Sequence, residues 1–247
     1  MAGGRGERMR AAGAALPKPL VTVDGASLLE RNLAAVLGAG LRDIVVAVPS
    51  HTPSIAAYVR GRGTQIAETF AAKLTIFEEI EPLGNIGAAA AVATAGSELL
   101  VVYADNLTSL DLNAFVEHHR REDAVLTVAV HREPFRIPFG EVRLANGLID
   151  AYIEKPERRI LVASGLFVLG PSAIARVPRA RTEVSWLVNE LLAAKARVAA
   201  FLHDAAWIDV NDMAAAERAE RLLVANRDAF GQAVPARAMR AIVEAPS

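Results

Sequence analysis

Cysteine is absent from the 247 residues, which excludes disulfides, thiolate nucleophiles and cysteine-ligated zinc or iron–sulfur centres and leaves any metal to oxygen or imidazole. Net charge is nearly absent as well: 27 Lys and Arg face 28 Asp and Glu, so no global field draws the chain to nucleic acid or to an anionic membrane. A small-molecule partner fits better. No apolar run approaches the ~20 residues that span a bilayer, and the chain opens on glycine and arginine instead of the apolar core of a secretion signal. A soluble, cytoplasmic protein is therefore expected. Internal repeats and low-complexity linkers are also missing, so nothing marks a domain boundary. At this length one large α/β domain is expected over 1–230, followed by a C-terminal tail over 231–247.

What is present is an alternation of short β-branched runs with longer helical patterns. Strands are expected at Asp43–Val48, Leu74–Phe77, Leu99–Tyr103 and Ala124–Val130, with helices at Ser27–Ala39, Ser54–Gly61, Ile86–Ala95 and Asn113–Arg121. Such crossovers build βαβ units, so the fold class is α/β, a Rossmann-like doubly wound mixed sheet whose ligands gather at the carboxyl ends of its strands. After Val130 the pattern changes. Glu141–Leu144, Leu148–Ile153 and Leu161–Leu169 read as additional antiparallel strands, the first two joined by the hairpin signal Asn146-Gly147. Helices return at Val184–Ala196 and Asn211–Arg227, the latter capped by Asn211 or Asp212. Its apolar stripe offers a surface for a homo-oligomer, although such a stripe more often belongs to the core.

Several short segments carry chemistry. Ala2-Gly3-Gly4-Arg5-Gly6-Glu7-Arg8 combines bare backbone N–H groups with guanidinium charge, a combination suited to wrapping an anion. It is neither a P-loop, since no Gly-Lys-Ser/Thr follows, nor a dinucleotide fingerprint. In Pro17-Lys18-Pro19 the flanking prolines fix the backbone and so lower the entropy lost when Lys18 presents its ammonium to a phosphate. Asp105 closes a strand at its carboxyl end, and Asp209 precedes a helix, where an aspartate also serves as a cap. Glu78, Glu79 and Glu81 precede the turn Pro82-Leu83-Gly84. A carboxylate there accepts hydrogen bonds from the N–H groups of a guanine edge and repels the carbonyls of uracil or thymine.

Taken in order, these segments resemble the sugar-1-phosphate nucleotidyltransferase family, whose members open with a strand, Gly-Gly-x-Gly-x-Arg-Leu and Pro-Lys-Pro. The resemblance continues through Pro82-Leu83-Gly84-Asn85-Ile86-Gly87-Ala88, Phe139-Gly140-Glu141-Val142, Ile153-Glu154-Lys155-Pro156, Ala163-Ser164-Gly165 and Trp207-Ile208-Asp209-Val210-Asn211, and it reaches about Arg221. The motifs are short, and their joint order makes the match specific. The resemblance implies that Arg8, Lys18 and Asp105 are catalytic, with Arg8 and Lys18 on the triphosphate. It implies that Ala2, Gly3, Gly4, Glu79, Pro82, Leu83 and Gly84 hold the nucleotide. Gly140, Glu154, Lys155 and Ser164 would bind the sugar phosphate, and Asp105 and Asp209 would bind Mg²⁺. The partners would be a nucleoside triphosphate, with GTP ahead of dTTP or UTP and then CTP, and a hexose-, heptose- or cyclitol-1-phosphate. Mannose- and heptose-1-phosphate guanylyltransferases look nearest.

The chain departs from the family in three places. The apolar strand that precedes the glycine-rich loop in the family is missing, and its loss is expected to leave two neighbouring strands with unpaired backbone groups and a slot in the core. A start upstream, another segment in the slot, or an impaired product all remain open. Val184-Ser185-Trp186 replaces a Glu-Lys-Asp-like run and Ser164 replaces an asparagine, both on the sugar side. Ala104 stands where a glycine usually precedes the aspartate. The implied chemistry is in-line attack of a phosphate oxygen on the α-phosphorus. It needs no general base, so the five histidines are left without a role. Two rivals are a catalytically silent nucleotide-binding subunit, free to lose the charged set, and an enzyme activating a non-sugar phosphate.

Overall fold

The computed structural model describes residues 16–233. It begins with a single 3₁₀ turn, Lys18–Leu20, set by Pro17 (φ −58°) and Pro19. A tight hairpin follows, β1 (Thr22–Val23) and β2 (Ala26–Ser27), turned by Asp24 and Gly25 at φ 46° and 78°. Positive φ at both central residues is the type I′ requirement, which the Asp-Gly pair meets. Helix α1 (Leu28–Gly38) starts on a capping box: Glu30 N–H donates to Ser27 Oγ at 3.2 Å and Ser27 N–H to Glu30 Oε2 at 2.7 Å. Two of the orphan donors of its first turn are thereby satisfied.

Strands β3 (Asp43–Pro49) and β4 (Lys73–Glu79) pair in parallel across a crossover made of α2 (Pro53–Tyr58), a π turn at Val59–Gly63 and α3 (Thr64–Glu68). The expected helix at 54–61 is thus split into short pieces. A second, four-stranded sheet has the order β11-β7-β10-β5, from β5 (Leu99–Val102), β7 (Leu126–Arg136), β10 (Glu157–Leu169) and β11 (Val198–Leu202). In it β10 runs antiparallel to β5 and β7, while β11 runs parallel to β7. The architecture is the expected α/β mixed sheet. Ribbon β8 (Glu141–Ala145) and β9 (Leu148–Ile153) stands apart, turned by Asn146 at φ 51° and Gly147 at φ 80° as the hairpin signal required.

Other boundaries differ from expectation. The Ala-rich run predicted as a helix over 86–95 yields only α4 (Ala89–Val92), because Ala93 turns extended at ψ 137° and Gly96 takes φ 77°. Helix α5 (Leu112–Arg121) is capped by Asp111. A short α6 (Pro171–Ile174) and α7 (Val184–Ala193) cover one face. Helix α8 (Met213–Ala225) is capped by Asp212, whose carboxylate accepts from Ala215 N–H at 2.6 Å, and α9 (Arg227–Ala233) follows as a separate helix. Among the described residues no helix is long and apolar enough to cross a membrane.

Among the described residues no ladder joins β3 to β5. Between them lies a cavity of about 210 Å³ lined by Ile44, Val46, Leu99, Val101, Leu33 from α1 and Ile86 from the turn before α4. Leu33, Leu37, Val46, Val48 and Ile66 form the core on the β3 side, and Leu126, Phe167, Leu169, Leu187 and Leu191 form the core of the larger sheet.

Candidate active site

Two three-residue strands bring the candidate carboxylates together. β6 (Asn106–Thr108) pairs antiparallel with β12 (Trp207–Asp209), placing Asn106 opposite Asp209. Val210 N–H then donates to the Asp105 carbonyl at 2.9 Å. Asp105 and Asp209 therefore leave the two strands side by side. The 3₁₀ turn directs Lys18 at the same place: its Nζ lies 3.8 Å from Asp105 Oδ2 and donates to Asn211 Oδ1, while Asn211 Nδ2 donates to Asp209 Oδ2. Lys18, Asp105, Asn211 and Asp209 form one polar chain. The lysine ammonium offsets the repulsion of two neighbouring carboxylates. Asn211, read from the sequence only as a helix cap, is the member that the sequence did not mark as functional.

The donor set suits a hard cation. Mg²⁺ is characteristically held by one or two carboxylates plus substrate phosphates and seldom by an all-protein cage. Two adjacent carboxylates fit that habit, and among the described residues no cluster of three or more His, Cys, Asp or Glu forms a closed metal cage.

The loop after β4 carries the expected nucleotide residues. Glu79 is buried; its Oε2 accepts from Leu83 N–H at 3.1 Å, and its Oε1 is buried with no partner among the described residues. Its neighbours differ, since Glu78 pairs with Arg60 at the surface and Glu81 is exposed. A buried carboxylate oxygen without a donor is uncommon in a native protein and calls for an absent partner. Pro82 is exposed, and Gly84 sits at φ 78° so close to the Thr182 carbonyl that a Cβ would lie 2.4 Å from it. Thr182 N–H donates to the Leu83 carbonyl at 2.8 Å and Val184 N–H to Asn85 Oδ1 at 2.7 Å. The loop is thus pinned to the segment that differs from the family at 184–186.

Beside the carboxylates, the Tyr103 hydroxyl is also buried without a partner among the described residues. Burial first, then the charges of Glu183 and Asp105, raise its phenol well above the usual range. It is a neutral donor waiting for an acceptor.

The residues expected at the sugar phosphate are spread more widely. Gly140 is half-buried just before β8, and Glu154 and Lys155 are exposed after β9, with no hydrogen bond or ion pair to any described residue. Lys155 is held at φ 44°, a left-handed conformation that costs a non-glycine residue energy. Ser164 is fully buried, and its hydroxyl is engaged by His131 and His203. Ala2, Gly3, Gly4 and Arg8 lie outside the described residues.

Comparison with known proteins identifies the family. A family model described as Nucleotidyl transferase matches residues 1–225. The chain is 23% identical over 219 residues to a probable mannose-1-phosphate guanylyltransferase 2 of Arabidopsis thaliana, covering 85% of the chain and 60% of that protein. It is 25% identical over 219 residues to a mannose-1-phosphate guanyltransferase of Candida albicans, covering 85% and 59%. It thus spans about three fifths of the length of these curated relatives. Among solved structures, HddC from Yersinia pseudotuberculosis superposes with a TM-score of 0.64 at 21% identity, covering 89% of this chain and 96% of that one. A putative glucose-1-phosphate thymidylyltransferase from Bacillus anthracis gives 0.68 at 18% identity, covering 90% and 92%.

Proposed function

Because the chain belongs to the nucleotidyl transferase family, we propose that it transfers a nucleoside monophosphate from a nucleoside triphosphate to a sugar-1-phosphate and releases pyrophosphate. The observation that carries this reading is the convergence of Lys18, Asp105, Asn211 and Asp209 at one end of β6 and β12. An oxygen of the sugar phosphate forms a bond to the α-phosphorus as the bond from that phosphorus to the bridging oxygen breaks, and the electron pair leaves with pyrophosphate. The attacking phosphate is already ionised near neutral pH, so no side chain has to remove a proton. In this reading Lys18 and Arg8 neutralise the triphosphate and its leaving group, which is where charge control acts in such reactions. Asp105 and Asp209 hold Mg²⁺, which when bound orients phosphate oxygens and withdraws charge from them. Ala2, Gly3 and Gly4 lie against the nucleotide, Pro82, Leu83 and Gly84 form its loop, and Gly140, Glu154 and Lys155 face the sugar phosphate.

GTP is the favoured nucleotide. Glu79 Oε1 is buried and lacks a donor among the described residues, which suits the N–H groups of guanine. Relatives named as mannose-1-phosphate guanylyltransferases support the same choice, as does a structure of HddC complexed with GMP-PN. The protein works in this reading as a cytoplasmic enzyme. The apolar stripe of α8 is buried against Val21, Val23, Leu28 and Leu107, so self-association, which sedimentation velocity tests, is proposed without assigning it to that stripe.

The test is pyrophosphate release with Mg²⁺ from each nucleoside triphosphate against hexose-, heptose- and cyclitol-1-phosphates. Release from one pair identifies both substrates. Absence of release from every pair, with nucleotide binding intact, rejects the reading.

A further inference from the structure

Two of the five histidines are buried together in a polar chain that the proposed chemistry leaves unused. Ser164 lies in an irregularity of β10, where the pairing with β7 shifts register between Ala163 and Phe167. Its Oγ is 2.9 Å from His131 Nδ1 and 2.8 Å from His203 Nε2, and His131 Nε2 is 3.2 Å from Glu133 Oε2. The Ser164 carbonyl is equally committed: it accepts from Asn106 Nδ2 at 2.9 Å and from Trp207 Nε1 at 2.8 Å. Those donors stand on β6 and β12, the two strands that deliver Asp105 and Asp209. The next residue, Gly165, takes φ 74° and lies so close to Asn106 Nδ2 that a Cβ would come within 1.9 Å. One residue of β10 is thus gripped through its hydroxyl on one side and through its carbonyl on the other.

The positions of the protons follow from the orphan atom. His203 Nδ1 is buried without a partner among the described residues, and an N–H there would be a buried donor with no acceptor, the costlier of the two tautomers. The proton therefore sits on Nε2 and is donated to Ser164 Oγ. The single hydroxyl proton of Ser164 then goes to His131 Nδ1, and His131 Nε2–H faces Glu133. The chain runs in one direction, from His203 through Ser164 to His131 and Glu133. Burial and then the neighbouring His131 lower the His203 pKa to about 4, which keeps that ring neutral. The His131 ring also packs on Trp207, with centroids 4.4 Å apart.

We propose that His131, Ser164 and His203 are positioning residues for the two-carboxylate site: by holding Ser164 they fix the carbonyl shared by Asn106 and Trp207, and so the separation of Asp105 and Asp209. This rests on the reading of Asp105 and Asp209 as metal ligands. Loss of a group that hydrogen-bonds a metal ligand commonly changes affinity by about 10- to 100-fold; residues acting through Asn106 and Trp207 belong at the lower end of that range.

The probe is Mn²⁺ alone, titrated into the full chain and followed by electron paramagnetic resonance, with thermal melts as the folding control. Ser164→Ala and His203→Leu should weaken Mn²⁺ binding by about tenfold and raise the Mg²⁺ concentration needed for half-maximal turnover. His203→Gln, which keeps a donor near the Nε2 position, should stay close to the parent. Asp105→Ala should abolish Mn²⁺ binding. If Asp105→Ala abolishes binding while folded Ser164→Ala and His203→Leu bind as the parent does, the positioning role is wrong and the metal site stands. If Asp105→Ala binds normally, the metal reading fails and the positioning role fails with it. Should Ser164→Ala not fold, the contrast between His203→Leu and His203→Gln decides.

Discussion

Asp105 and Glu79 make unlike demands on their surroundings, and their substitutions should fail in unlike ways. Asp105 shares the Lys18 ammonium with the Asn211–Asp209 pair. Asp105→Ala removes one of the two carboxylates that the proposed mechanism uses, so turnover should fall by at least about 10³-fold with little change in the melting temperature. Pyrophosphate release beside a thermal melt checks both halves of that statement, and near-normal activity would remove Asp105 from the mechanism. Glu79→Gln is a gentler change: it keeps an acceptor for Leu83 N–H but replaces the unpartnered oxygen with a donor. A hydrogen bond to a charged group is worth about 1.5–3 kcal/mol, so kcat/KM for GTP should drop by roughly tenfold or more, with the KM for the sugar phosphate unchanged. An equal loss for every nucleotide would show that Glu79 shapes the loop without reading the base.

At the scale of elements, the slot between β3 and β5 carries a direct prediction. Each strand pairs on one edge only among the described residues, and apolar side chains line the about 210 Å³ gap. Placing an apolar, β-branched strand ahead of Met1 should raise the melting temperature by several degrees, through ladder hydrogen bonds and filled volume. A polar sequence of the same length should not. Differential scanning calorimetry of the two extended chains makes the comparison.

The elements also show what sequence can carry. β3, β4 and the Asn146-Gly147 hairpin were legible because each announces itself locally, by β-branched runs or by a turn that demands positive φ. β6 and β12, each three residues long, are too short for any periodicity and exist because they pair with one another. β11, Val-Ala-Ala-Phe-Leu, follows an alanine-rich helix end whose composition masks the change. Asp105 and Asp209, proposed above to hold the metal, stand in ordered motifs that the sequence displays, and the structure brings them side by side. The burial of Ser164 between His131 and His203 was not, because those partners come from different strands and no local pattern links them.

For the whole molecule, acid is the informative perturbation. Burial holds His203 near a pKa of about 4 against 6.5 for the free side chain, and burial likewise lowers His119. The native state therefore refuses protons that the unfolded chain accepts. That contribution to stability is complete above about pH 6.5 and is lost progressively as pH falls towards 4. Urea midpoints across this window should decline with acidification. They should decline less steeply in His203→Gln, whose side chain does not titrate; parallel slopes would mean that His203 is not shielded as the structure shows.

The divided sheet has a final consequence, for cooperativity. Among the described residues no hydrogen-bonded ladder crosses from β3–β4 to the four-stranded sheet, so the two share side-chain packing but no backbone zipper. Coupling of that kind lets one part open while the other stays closed. Native-state amide exchange should accordingly resolve two groups, with β3 and β4 opening at lower free energy than β7 and β10. A single common opening energy would mean that the packing around α1 binds the halves into one unit.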